Sequence, residues 1–183
     1  MKKAHLFFLA FIVIILLSAC GLQEIDKKGP FRVIILSDIP LRFDSDFDPY
    51  ILEKLAQEEE ELEDDFDVRV DLFPISHEKL TIEILTKEVD VFIVDESLKH
   101  ILLDPYGLHP LDRLKEKLPS ELYKEYIMTD EESGESHLYA IPLKNDSRLL
   151  QDLGIEIPSS LIAVVTSHST YKERGIQLLE QLK

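Results

Sequence analysis

The sequence predicts an α/β domain: three layers around a mostly parallel sheet whose strand order begins 2-1-3. Val33-Ile34-Ile35-Leu36 and Val91-Phe92-Ile93-Val94 are unbroken apolar runs, as expected of strands buried on both faces. Asp67-Val68-Arg69-Val70-Asp71-Leu72 between them alternates strictly, which marks a half-exposed strand at a sheet edge. Helical stripes separate the three, so the chain reads βαβαβ with right-handed crossovers, the alternating strand outermost and the first beside the third.

The first strand covers residues 31–37 and stops at Ser37-Asp38. Asp48-Pro49 then supplies an N-cap followed by proline at the first helical position. The helix it opens offers Ile51, Leu52, Leu55, Ala56 and Leu62 for packing. Residues 58–65 hold seven carboxylates and one leucine, a solvated helix end that opposes the macrodipole. After the edge strand, Ser76 caps a helix reaching Lys87, with Leu80, Ile84 and Leu85 on one stripe. The third strand, residues 90–94, ends at Asp95-Glu96-Ser97. Residues 98–127 are helical in pieces, broken at Pro105, Gly107, Pro110 and Pro119. A polar turn over residues 130–136 leads into a strand at 137–142. A short helix over 146–153 stops at Gly154, and a strand at 161–166 precedes a closing helix at 170–182 that turns Ile176, Leu179 and Leu182 inward.

The N-terminus sets the expected location. Lys2 and Lys3 precede twelve apolar residues, 6–17, with the length of a secretory h-region and too short for the ~20 residues of a membrane span. Leu17-Ser18-Ala19-Cys20 resembles the bacterial lipobox, in which small residues admit a peptidase that cuts before a lipid-modified cysteine. The expected organisation is a signal peptide at 1–19, lipidated Cys20 with a tether to residue 30, and one domain over 31–183. That places the chain on the extracytoplasmic face of a cell membrane, with the bilayer as a partner through Cys20. Two or more acyl chains anchor stably where one does not. The tether spans roughly 15–20 Å as a random coil. Cys20 is the one cysteine, so no intramolecular disulfide forms.

The formal charge is −16, and removing residues 1–19 takes two lysines and no acids, leaving −18. Nucleic acid is not an expected partner, because phosphate binding needs a basic footprint. Asp44, Asp46 and Asp48 have the spacing of a calcium loop, but Pro49 stands where that loop needs glycine and Leu55 where it needs glutamate. The histidines show no metal-ligand spacing, and nucleophile-elbow, P-loop, dinucleotide and zinc-protease motifs are missing from the sequence. Neither a cofactor nor enzymatic activity is expected. Ligands of such sheets gather at the carboxyl ends of the strands flanking the switch point. Ser37, Asp38, Asp95, Glu96 and Ser97 are therefore the binding candidates, with Tyr139 either lining the same cleft or packing.

In order along the chain, Glu88-Val89-Asp90-Val91-Phe92-Ile93, Leu108-His109-Pro110-Leu111-Asp112-Arg113-Leu114, Leu138-Tyr139-Ala140-Ile141-Pro142 and the tail over 162–182 resemble the extracellular solute-binding proteins of the type 2 periplasmic-binding fold. The resemblance implies the fold of lobe 1 of such a protein. In that family a second lobe is inserted after the Tyr-Ala-Ile-Pro-like strand, whereas here only residues 143–160 separate the landmarks. One lobe alone cannot close around a small ligand. The resemblance thus implies weak ligand binding or an accessory role to a membrane transporter. The alternative is a protein-interaction lipoprotein that uses the surface left by the missing lobe.

Overall fold

A computed structural model describes residues 29–57, 66–130 and 133–183. Cys20, the signal segment, most of the tether and the acid run at 58–65 lie outside them. The central sheet is five-stranded, in the order β2-β1-β3-β7-β6: β1 (Phe31–Leu36), β2 (Val68–Phe73), β3 (Val91–Asp95), β6 (Ile141–Leu143) and β7 (Leu161–Val165). A separate hairpin joins β4 (Ile127–Thr129) to β5 (Ser136–Leu138). β1 pairs in parallel with β2 and β3, so the 2-1-3 order holds. β7 runs antiparallel to both β3 and β6, which leaves four of the five strands pointing the same way.

The helices are α1 (Asp44–Ala56), α2 (His77–Thr86), α3 (Lys99–Leu102), α4 (Ser120–Tyr123), α5 (Arg148–Asp152) and α6 (Lys172–Leu182). They form two layers. A Cβ built on Gly175 of α6 would touch Val165 and Val91, on one face of the sheet. Phe92, on the other face, lines a groove with Ile84 of α2 and Ile101 of α3. α1 and α5 pack against α6, and α3 packs against α2. The residues of β3 and β7 are buried throughout, and β2 alternates, as two-sided and edge burial require.

Four details depart from the sequence reading. First, α1 begins at Asp44, so Asp48 is not its N-cap and Pro49 lies inside the helix. The extra turn is held by β2: Asp48 accepts from the Val70 amide at 2.7 Å and Asp44 from that of Leu72 at 3.1 Å. Four residues of helix rise ~6 Å and two of strand ~6.6 Å, so carboxylates one turn apart meet successive outward amides of the edge strand. Second, Ile51 and Leu55 turn inward as expected, but Leu52 and Ala56 are exposed. Third, α2 buries Glu83, while Leu85 is 74% exposed. Fourth, the strand expected at 137–142 divides at Tyr139-Ala140: its first part pairs with β4 and its second with β7. The C-terminal half follows expectation: Gly154 has φ +62°, and Ile176, Leu179 and Leu182 are buried.

Candidate functional site

The carboxyl ends of β1 and β3 lie side by side, because Leu36 pairs with Val94. They bring Ser37 and Asp38 beside Asp95, Glu96 and Ser97. Ser37 is buried: its amide donates to the Phe73 carbonyl at 3.1 Å, and its Oγ accepts from the Ile39 amide at 3.2 Å. Asp38 is exposed. Asp95 is also buried and caps the following 3-10 turn, accepting from the Ser97 amide at 2.9 Å and from Ser159 Oγ. Burial alone would raise its pKa, but the hydrogen bonds from Ser159 and Ser97 outweigh that and hold it below the usual carboxylate range.

Glu96 is half-buried, its carboxylate meeting Lys99 Nζ at 3.3 Å and the Tyr126 hydroxyl at 3.3 Å. Burial and the charges of Glu96 and Glu125 push the Tyr126 phenol up, so it remains a donor. Ser97 is exposed, and its carbonyl lies 3.0 Å from His100 Nδ1. Next to Asp95, a shallow depression of ≈ 430 Å³ is lined by Lys144, Asn145, Asp146 and residues 157–160. Asn145 clamps this loop, donating to the Ile157 carbonyl at 2.9 Å and accepting from its amide at 3.1 Å. The sequence reading missed Asn145, whose partner is twelve residues away.

Tyr139 does not join this group. Leu143 and Asp95 both register with Leu161, so Tyr139, before Ile141, lies toward the opposite ends of the strands. It is buried, with its ring edge-on to His137 at 6.1 Å. Of the two roles considered for it, packing is the one the structure gives.

The arrangement suits hydrogen-bonded recognition at an open rim. Ser159 donates to a carboxylate that is a weak base, so its hydroxyl is not activated as a nucleophile there. Among the described residues no group of three or more His, Cys, Asp or Glu side chains could hold a metal ion. Asp44 and Asp48 spend carboxylate oxygens on the edge of β2. Among the described residues no helix is long and apolar enough to cross a membrane.

A larger open cleft, ≈ 470 Å³, lies at the other end of the sheet, where Gly29 and Pro30 lead into β1. Arg32, Arg69, Lys87, Asp90 and His168 contribute to its walls. Arg32 lies 3.2 Å from Asp71, 3.2 Å from Glu83 and 3.4 Å from Glu88. Asp90 accepts from the Arg32 amide at 2.8 Å and from Ser169 Oγ at 2.5 Å. Burial raises its pKa despite these bonds. A basic residue within an otherwise apolar strand was the sequence signal for this network.

No family model matches the chain. Over 114 residues it is 31% identical to a Bacillus subtilis (strain 168) chain bearing the name "Putative lipoprotein YteS"; the match covers 62% of this chain and 66% of that one, just under two thirds. Among solved structures, the arginine-bound form of domain 1 from TmArgBP is similar at 16% identity and a TM-score of 0.33, covering 88% of this chain and 100% of that one. A mutant of full-length BenM aligns at 11% identity and a TM-score of 0.39, covering 98% of this chain and 77% of that one.

Proposed function

We propose that the chain is a membrane-anchored extracytoplasmic lipoprotein whose single α/β domain binds a ligand weakly through the carboxyl ends of β1 and β3, or presents that face to a membrane transport complex. The observation that carries this is the open rim: Asp38 and Ser97 are exposed and Glu96 is half-buried, above a floor made rigid by Ser37 and Asp95. The likeness to a lipoprotein-named relative supports the anchor at Cys20. A one-sided rim buries less of a small ligand than the 70–90% typical of enclosed pockets, which favours weak binding.

The surface where a second lobe would be inserted bears on the alternative. Leu143, Leu149, Leu150, Ile155 and Ile157 are buried, and the exposed residues of that stretch are mainly polar. A protein partner seated on an apolar patch at that junction finds no support there.

A thermal-shift screen of the mature chain against sugars, peptides, polyamines and divalent ions tests the binding form. A ligand at 100 times its Kd adds about 2.7 kcal/mol to native stability. A saturable shift that Asp38→Ala with Ser97→Ala abolishes is the expected result. A shift untouched by that double variant places the ligand elsewhere, and no shift from a cooperatively unfolding sample favours the accessory role.

A further inference from the structure

We infer that this domain docks on the lipid surface through an apolar groove between α2 and the 3-10 turn Pro105–Gly107, an inference that rests on the anchored reading above. The groove, ≈ 310 Å³, is floored by Ile84, Phe92, Ile101, Leu102 and Leu108. Leu85 and Tyr106 stand on its walls and are 74% and 61% exposed. Ile82, one turn before Leu85, is 50% exposed and extends the apolar surface. Exposed leucine and tyrosine beside an apolar groove are costly in water and suited to an interface with one apolar side and one wet side.

The position of the groove selects its occupant. Lys87 and His168 line both this groove and the cleft that contains Gly29 and Pro30, so the two openings adjoin. The Tyr171 hydroxyl donates to the Gly29 carbonyl at 2.8 Å, which fixes where the chain enters the domain. Eight residues, 21–28, and so nine Cα–Cα steps, separate that point from the lipid-bearing cysteine. They span at most ~30 Å extended, and ~15–18 Å as a random coil. At its coil length the tether keeps this end of the sheet nearest the bilayer, and it holds the effective concentration of lipid high. A shallow insertion of ~5–10 Å by Leu85 and Tyr106 needs no deep apolar face. Lys87 is exposed at the adjoining cleft, while Arg69 there is paired with Asp71 at 3.1 Å and Glu88 adds a negative charge, so with −18 on the mature chain the docking rests on apolar contact rather than on charge.

The geometry also orients the molecule. The six residues of β1 put Ser37 and Asp38 ~20 Å from the docked end. The candidate rim then faces away from the bilayer.

The chain contains no tryptophan, so a single Leu85→Trp supplies its only indole. Leu41, 56% exposed just beyond the carboxyl end of β1, gives the control Leu41→Trp on the opposite face. Both variants, expressed from the full chain and purified from the membrane fraction, are reconstituted into phosphatidylcholine vesicles carrying brominated acyl chains. The expected result is quenching of Leu85→Trp roughly twofold or more above Leu41→Trp, with a blue shift confined to the former, and loss of that excess when Tyr106→Ser and Ile82→Ser are added. Equal quenching at the two positions in vesicle-bound protein overturns the docking proposal and leaves the anchor standing. Protein that does not float with the vesicles overturns the anchored reading and the docking with it.

Discussion

Two buried aspartates of β3 and its approach have opposite relations to pH. Asp95 has its carboxyl held down by hydrogen bonds, so its contribution to stability is present above the unfolded value of ~3.9 and is lost as pH falls through the lower folded value. Asp95→Ala removes the acceptor for Ser97 and Ser159 and is expected to cost about 1–3 kcal/mol near neutral pH, with the cost shrinking in acid. Urea melts of both proteins at neutral and acid pH measure this. Asp90 is raised by burial, so folding takes up protons there. Its contribution is greatest below ~3.9 and declines as pH rises through the folded value. Asp90→Asn is expected to gain on the parent protein in denaturant midpoint between acid and neutral pH. A variant that falls further behind as pH rises would show that the charged form is the one the fold prefers. The candidate rim was legible in the sequence to the extent that chain order reports it: residues after buried strands sit at carboxyl ends. The partner of Asp95 was not, because Ser159 is 64 residues away and reaches it only through the antiparallel return of β7.

Among the elements, α1 and α6 do work that sequence periodicity does not display. β2 is an outer strand, and an open row of amides invites pairing with other chains. Asp44 and Asp48 cover two of those amides. Asp48→Ala is expected to destabilise by about 1–3 kcal/mol by leaving the Val70 amide without its carboxylate. The double variant with Asp44→Ala should also aggregate sooner, read by light scattering during thermal unfolding. The same acids looked like a helix cap and a fragment of a calcium loop, because local spacing carries no information about a strand 22 to 28 residues on. Gly175 is a second case. Replacing a mid-helix glycine by alanine ordinarily stabilises by about 1 kcal/mol. Here the added methyl would lie 3.0 and 3.1 Å from the two Val165 methyls and 3.3 Å from Val91. Both neighbours are β-branched strand residues with restricted rotamers. Gly175→Ala is therefore expected to lower stability by about 1–3 kcal/mol, and a rise in denaturation midpoint would mean that α6 lifts off the sheet readily. The division of residues 137–142 into two strands escaped the sequence for a related reason: an apolar run does not reveal which neighbour each half pairs with.

At the scale of the whole molecule, the sheet gives the domain two distinct ends. Gly29 enters beside a cleft and an apolar groove, and the candidate rim lies at the far ends of β1 and β3. Buried runs and one alternating strand sufficed to read the 2-1-3 order. The reversal of β7 was not legible, since an all-apolar strand is equally compatible with either direction. In the proposed arrangement the domain is tethered with the candidate rim outward, and that orientation depends on attachment at Cys20. The most direct test is mass spectrometry of the N-terminal peptide from the membrane fraction of cells expressing the full chain. The account predicts a peptide that begins at Cys20 and carries a diacylglycerol thioether. A membrane-bound chain that still begins at Met1 with an unmodified Cys20 would contradict it.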